Sequence, residues 1–290
     1  MELRHIATRA GRLSSFLREE MGMSAGLVNR LKWQEKLFVN GEAQFTNYTV
    51  FPGDVISVSI DEPAPDYPAQ EGNISVLYED AHFLAVDKPA GMLIHPSRHC
   101  NTGTLANFVA GYYQKTGQPC AFHPITRLDR DTFGVVLLAK SAHIHACMQQ
   151  PEFPVEKTYH ALVYGTPDPP DGCIDAPIAR QSAPSLLREI REDGKPSLTR
   201  YHILQRFDGY SKLALHPITG RTHQLRVHCA HMGHPILGDP QYHTPESYAY
   251  SQQFSIISQL LCAHTLQWKH PVTGETPVVI SGMDATFSLL

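Results

Sequence analysis

Apolar residues fall along this chain in short bursts whose period changes from one to the next. The most continuous burst, Val135 to Ala139, is β-branched and aliphatic, and Gly134 and Lys140 bound it. That composition predicts a buried strand entered through a turn at Thr132-Phe133-Gly134. Within residues 10–60, Leu13, Phe16 and Leu17 fall at helical spacing, and Ser24 is placed to cap a second helix carrying Leu27, Val28 and Leu31 on one face. Lys36 to Val39 then reads as a strand running into an Asn40-Gly41 turn, and Gly53 to Val58 as a turn followed by a strand.

Residues 61–72 hold three prolines and four acidic side chains, which cannot bury a core and favour a stiff, extended connection. Two domains are therefore expected, 1–60 and 73–290, joined by a linker at 61–72. In the second, strands are expected at Ile74 to Asp80 and Phe83 to Pro89, and helices from Thr104 to Lys115 and from Ala142 to Gln150. Thr158 to Tyr164 alternates so that Tyr159, Ala161 and Val163 share a face. The loop 166–172 is read as turn and edge, and Arg200 to Gln205 as a strand. Thr222 is expected to cap a helix running to Met232, ended by Gly233 and Pro235. Strands at 261–271 and Val278 to Ile280 and a short tail to Leu290 close the chain.

Composition adds limits. A length of 290 residues allows one large core and a small appendage, and a net charge of −4 gives no whole-chain basicity of the kind that marks many nucleic-acid binders. Any such partner needs positive charge gathered locally, and Arg127, Arg130, Arg221 and Arg226 are the candidates. The six scattered cysteines form no Cys-x-x-Cys pair, which favours free thiols in a reducing compartment. No stretch approaches the ~20 apolar residues of a membrane span, so a cytoplasmic protein without a membrane partner is expected.

The candidate chemistry begins with Asp129, flanked by Arg127 and Arg130 at the mouth of the predicted strand. A carboxylate on a rigid element beside positive charge suits nucleophilic or proton-transfer work. On the residues alone, a loop carboxylate in a surface ion pair is the better account. Tyr159, by periodicity alone, is a core aromatic. His223, Arg226 and Val227 stand at helical spacing, so Arg226 shares a face with inward-packed neighbours and needs a carboxylate, for which Asp129 is the proposed partner. The histidines at 216, 223, 228, 231 and 234 lack convergent metal-ligand spacing, and no metal is expected.

Three stretches in order, Thr126-Arg-Leu-Asp-Arg-Asp-Thr-Phe-Gly134, Lys157-Thr-Tyr-His-Ala-Leu-Val-Tyr-Gly165 and Thr219-Gly-Arg-Thr-His-Gln-Leu-Arg-Val-His228, closely resemble the motifs of the RluA-type pseudouridine synthases. Asp87 to Pro96, Asp193 to Thr199, Gly238 to Tyr242 and Leu261 to Pro271 are similar to the family's wording as well. Thr126 stands where a His is usual, Phe133 where a Ser is usual, and Cys262 and Trp268 where a His and a Phe are usual. Residues 10–60, with Gly11 to Leu17, Leu37 to Gly41 and Pro52 to Ile56, resemble the small S-four-like RNA-binding domain.

The resemblance implies an α+β protein: a mixed, largely antiparallel sheet flanked by helices, with a small N-terminal α/β RNA-binding domain. It implies isomerisation of uridine in structured RNA, ribosomal RNA before transfer RNA, with no cofactor. Asp129 is then the catalytic carboxylate, Arg226 its partner and Tyr159 the ring that stacks on the base. Arg127 occupies the space of the flipped nucleotide or holds the backbone, Arg221 meets phosphate, and Leu266 packs beside the site. Arg12, Arg18, Arg30 and Lys32 are the RNA contacts of the N-terminal module. The competing readings are a non-catalytic RNA-binding or ribosome-assembly factor on the same fold, a transfer-RNA-directed synthase, and a glycosidase with paired carboxylates.

Overall fold

A computed structural model of the chain describes residues 2–62, 65–97, 100–118 and 120–283. The expected tail beyond Met283 lies outside the described residues.

The N-terminal residues build a unit with its own core. Its elements are β1 (Glu2–Ile6), β2 (Gly11–Arg12), α1 (Leu13–Ser15), which continues as a π-helical turn over Phe16–Glu20, α2 (Ala25–Trp33), β3 (Leu37–Val39), β4 (Glu42–Ala43), β5 (Thr49–Val50) and β6 (Val55–Ser59). Ser24 caps α2 as its position predicts, its hydroxyl accepting the Leu27 N–H at 3.2 Å. Leu13, Phe16, Leu17, Val28 and Leu31 close over a four-stranded sheet of order β1-β6-β3-β4. β1 was not foreseen from the sequence; it pairs with β6 throughout its length.

The larger part carries β7 (Ser75–Glu79), β8 (Phe83–Lys88), α3 (Leu105–Lys115), β9 (His123–Pro124), β10 (Phe133–Ala139), α4 (Ala142–Cys147), β11 (Val155–Tyr164), β12 (Asp171–Asp175), β13 (Ile178–Arg180), β14 (Arg188–Ile190), β15 (Leu198–Arg206), β16 (Tyr210–Pro217), α5 (Gln224–His231), α6 (Pro245–Gln253), β17 (Leu261–Trp268) and β18 (Val278–Ile280). Eight strands run in the order β12-β15-β16-β11-β17-β10-β8-β7, with β18 added to β17 and β9 to β10; among the described residues only the β10–β17 pair is parallel. The unbroken apolar run of β10 has its cause here: Val135 and Leu137 pack with Ile144 of α4, while Val136 and Leu138 pack with Leu105 and Val109 of α3. Burial on both faces removes the alternation that a half-exposed strand shows.

Several boundaries differ from the sequence reading. β10 starts at Phe133 rather than after Gly134, because Gly134, at φ +107°, pairs with Ala263 so closely that a Cβ would lie 2.4 Å from the Ala263 oxygen. α4 ends at Cys147, short of Gln150. Asp171 and Gly172 belong to β12, not to a loop. α5 is capped by His223 in the left-handed conformation, φ 58°, and not by Thr222. None of the six cysteines is joined in a disulfide among the described residues. No helix among the described residues is long and apolar enough to cross a membrane.

Candidate active site

The site is built where β10, β11 and β17 meet in the middle of the sheet. The loop that enters β10 is clamped along its length. Thr126 accepts the Leu137 N–H at 2.9 Å, Gln259 donates to the Thr132 hydroxyl at 3.0 Å, and Lys88 donates to the Arg130 carbonyl at 2.9 Å. Lys88 is fully buried, and its ammonium also donates to the carbonyls of Pro89 and Met92. Burial brings its pKa down to about 8, against the opposing charges of Asp131 and Asp129. The Asp87-Lys88-Pro89 stretch, whose residues alone point to no chemistry, thus pins the loop that carries Asp129.

α5 supplies the counter-charge. Gln224 holds the start of the helix: its side-chain oxygen accepts from the Thr219 hydroxyl and the Arg221 N–H, and its amide donates to the Leu198 carbonyl and the Thr199 hydroxyl. This network fixes Arg226 two residues later. Arg226 Nη1 donates to Asp129 Oδ2 at 3.2 Å, as expected, but its closer carboxylate is Asp239, reached by Nε at 2.7 Å and Nη2 at 2.8 Å. Gly238 to Tyr242 has the wording of a structural turn, which gives no hint of this partner. Asp239 Oδ1 also accepts the N–H groups of Gln241 and Tyr242, so the turn and the clamp are one feature. Burial is the largest influence and works against the Arg226 charge, yet the hydrogen bonds and negative charges of Asp239 and Asp129 together outweigh it and the pKa is raised.

Tyr159 lies on β11 opposite a bulge: Thr158 pairs with Thr265 and Tyr159 with Ala263, so His264 is the extra residue of β17. Its ring joins Ala161 and Val163 in one cluster, as alternation predicts. Burial, then the Asp129 charge, pushes the phenol pKa up, and the hydroxyl has no hydrogen bond among the described residues. Asp129, Tyr159 and Arg226 together line a cavity of about 320 Å³, with Arg127, Leu128, Lys157, Arg221, His223, Leu225 and Leu261. His223 Nε2 stands 3.9 Å from Asp129 Oδ2, and its Nδ1 is hydrogen-bonded to Tyr242 Oη at 2.8 Å. Burial lowers the pKa of His223, with Asp129 opposing.

The other expected residues divide. Arg127 and Arg221 are exposed on the cavity wall. Arg130 is turned to Asp131 at 3.1 Å, and Asp129 is the one carboxylate among the described wall residues, so the glycosidase reading lacks its second acid. Leu266 is not on the wall: its side chain is 1% exposed in the cluster of Phe83, Val135 and Trp268, and Leu128, Leu225 and Leu261 take the apolar role. Lys157 was overlooked; it is on the wall, burial lowers its pKa, and it has no hydrogen-bond partner among the described residues. Arg12, Arg18 and Arg30 are exposed on the N-terminal unit, and Lys32 lies over the Trp33 ring at 5.1 Å.

The family model described as RNA pseudouridylate synthase matches residues 82–231, which hold Asp129, Tyr159 and Arg226. The chain belongs to the RNA pseudouridylate synthase family. It is thereby an isomerase of RNA modification. This synthase is 33% identical over 288 residues to the ribosomal large subunit pseudouridine synthase C of Vibrio cholerae, covering 94% of this chain and 90% of that protein. Against the ribosomal large subunit pseudouridine synthase D of Xanthomonas campestris it is 33% identical over 247 residues, covering 82% and 74%. The structure of human RNA pseudouridylate synthase domain containing 1 superposes on 73% of the synthase and 84% of that chain, with a TM-score of 0.58 at 27% identity. The mixed, largely antiparallel sheet with few helices is the fold of such domains.

Proposed function

We propose that this synthase isomerises specific uridines of ribosomal RNA, with Asp129 as the catalytic carboxylate. The observation that carries the reading is the Asp129–Arg226 contact of 3.2 Å inside a cavity whose wall also holds the Tyr159 ring. Breaking the bond from ribose to base nitrogen, turning the base and rejoining it through a carbon needs neither a redox partner nor a donated group. What it needs is an aimed carboxylate, a surface that retains the free base, and a base taken out of its stack.

Each need has a residue. Arg226, locked by Asp239, holds one oxygen of Asp129 and leaves the other for substrate. Tyr159 offers its face to the uracil, and base–aromatic stacking is worth ~1–3 kcal/mol. With its pKa raised by burial, the phenol stays protonated at neutral pH and acts as a hydrogen-bond donor or proton source. Arg127, exposed beside Asp129, reaches for the space that the flipped nucleotide leaves. The relatives named as ribosomal large subunit synthases support ribosomal over transfer RNA.

The N-terminal unit is the S-four-like RNA contact in this reading, with the domain boundary in residues 61–72. Glu19 and Glu20 are engaged by Arg9 and His5, which leaves Arg12, Arg18 and Lys32 without a carboxylate partner among the described residues, while the charge of Arg30 is felt by Glu62. Transcripts tritiated at carbon 5 of uridine test the assignment, because that hydrogen is lost when the base rejoins through carbon 5. Release from ribosomal and not from transfer RNA is expected; release from transfer RNA alone contradicts the substrate assigned here.

A further inference from the structure

A second cavity, of about 450 Å³, lies beneath the small β13–β14 ribbon and shares Gly220, Arg221 and Thr222 with the wall of the first. Arg180, Arg188, Lys195 and Arg221 line it. Arg180 and Arg188 sit directly opposite each other in the antiparallel pair, a placement of like charges that is destabilising unless an anion lies between or beside them. Their protein partners are carbonyls: Arg180 donates to Ser185, Arg188 to Leu186 and Leu187, and Arg221 to Pro196. Asp193, the one carboxylate of the lining, is taken by Arg191. Four cations thus converge with no carboxylate partner among the described residues, in a chain whose net charge is −4.

The ribbon is also registered to the active site. Tyr242 Oη accepts the Arg188 N–H at 2.8 Å, contacts His223 Nδ1 at 2.8 Å, and its ring lies 5.0 Å beneath the Arg226 guanidinium. On the far side of the ribbon, Lys195 exchanges backbone bonds with Ile178. Gly194 makes the close approach possible, since a Cβ there would lie 2.6 Å from the Ile178 backbone.

We propose that this cleft is the track for the phosphates of the RNA strand adjoining the target uridine. The inference rests on the reading of the Asp129 cavity as the place of the target base: a strand leaving that cavity past Arg221 enters the cleft. Arginine suits the task, because guanidinium donors not used on carbonyls can fork onto phosphate oxygens.

The test is a salt series of binding to a fluorescein-labelled, uridine-containing single-stranded RNA. Two triple variants are compared with the parent: Arg180→Gln/Arg188→Gln/Lys195→Gln in the cleft, and Lys115→Gln/Arg206→Gln/Lys269→Gln at exposed positions elsewhere. Each phosphate contact on a single strand contributes ~0.7 to the slope of log affinity against log salt, so the cleft triple should flatten the slope by roughly 2 and the matched triple should not. An unchanged slope in the cleft triple, or equal flattening in both, overturns the proposal. Should the triple fail to fold, Arg180→Gln and Lys195→Gln, both exposed, are read singly against the ~0.7 expectation. Tritium release by the parent is read in parallel: its absence contradicts the Asp129 reading, whereas the slope reports the cleft.

Discussion

The carboxylate of Asp239 grips the guanidinium of Arg226 through two hydrogen bonds, Nε to Oδ2 at 2.7 Å and Nη2 to Oδ1 at 2.8 Å, and this leaves Nη1 as the donor aimed at Asp129. The pair is buried on both sides, so removing either charge strands the other. Arg226→Met should destabilise the fold by about 3–5 kcal/mol, read by urea denaturation. Asp239→Asn keeps the shape but loosens the aim. Its turnover should fall by roughly 100-fold, as small misplacements of catalytic groups do, with RNA affinity near that of the parent. An Asp239→Asn protein with parental turnover would separate the clamp from catalysis.

Lys88 holds three carbonyls from two segments, one of them Arg130, next to Asp129. Lys88→Met leaves those acceptors buried and unpaired, at ~1–3 kcal/mol each if none finds another donor. A fall of about 3 kcal/mol or more in unfolding free energy is expected, with lower turnover. Lys88→Arg should not restore either, because a planar fork cannot meet three acceptors arranged around one ammonium.

Tyr159 separates ring from hydroxyl. Tyr159→Phe keeps the stacking face and should keep RNA affinity, while its single-turnover rate falls because the unpartnered hydroxyl is lost from the cavity. Tyr159→Ala should lose a further ~1–3 kcal/mol in kcat/KM, the worth of a stacked base. Equal rates for Tyr159→Phe and the parent would remove the hydroxyl from the chemistry.

Burial lowers the pKa of His82, His95, His143, His145, His216, His223 and His228. Below the ordinary histidine value of about 6.5 the unfolded chain therefore binds more protons than the folded one, and stability declines as pH falls from there toward the lowered folded values. His228 is the clearest contributor: its two ring nitrogens are engaged by the Thr199 hydroxyl at 2.9 Å and the Ala176 carbonyl at 3.0 Å. Denaturation midpoints measured from pH 7.5 to 5 should drop in the parent, and the drop should be shallower in His228→Gln. An identical pH dependence in the two proteins would remove His228 from that account.

Much of this fold is legible in local pattern. The β10 run, the Ser24 cap and the alternation of Tyr159, Ala161 and Val163 are set by near neighbours, and the structure carries them. The Asp129–Arg226 contact was legible too, through the need of a half-buried guanidinium for a carboxylate. What failed depends on distant chain. Thr222 has the chemistry of a cap, but Gln224 already satisfies the Arg221 N–H from within the helix, and His223 takes the left-handed turn instead. Asp239 looked like an ordinary turn aspartate because turn and clamp use the same oxygens. Arg180 and Arg188 lie eight residues apart in chain and become a facing pair only when β13 folds on β14.

Asp129→Ala is the most direct measurement. Arg226 keeps its grip on Asp239 when Asp129 is gone, and the Asp129 side chain is 30% exposed, so the fold should survive the change. The variant should bind RNA and melt close to the parent while releasing no tritium from 5-tritiated uridine. A folded Asp129→Ala protein that releases tritium at the parental rate would contradict the account.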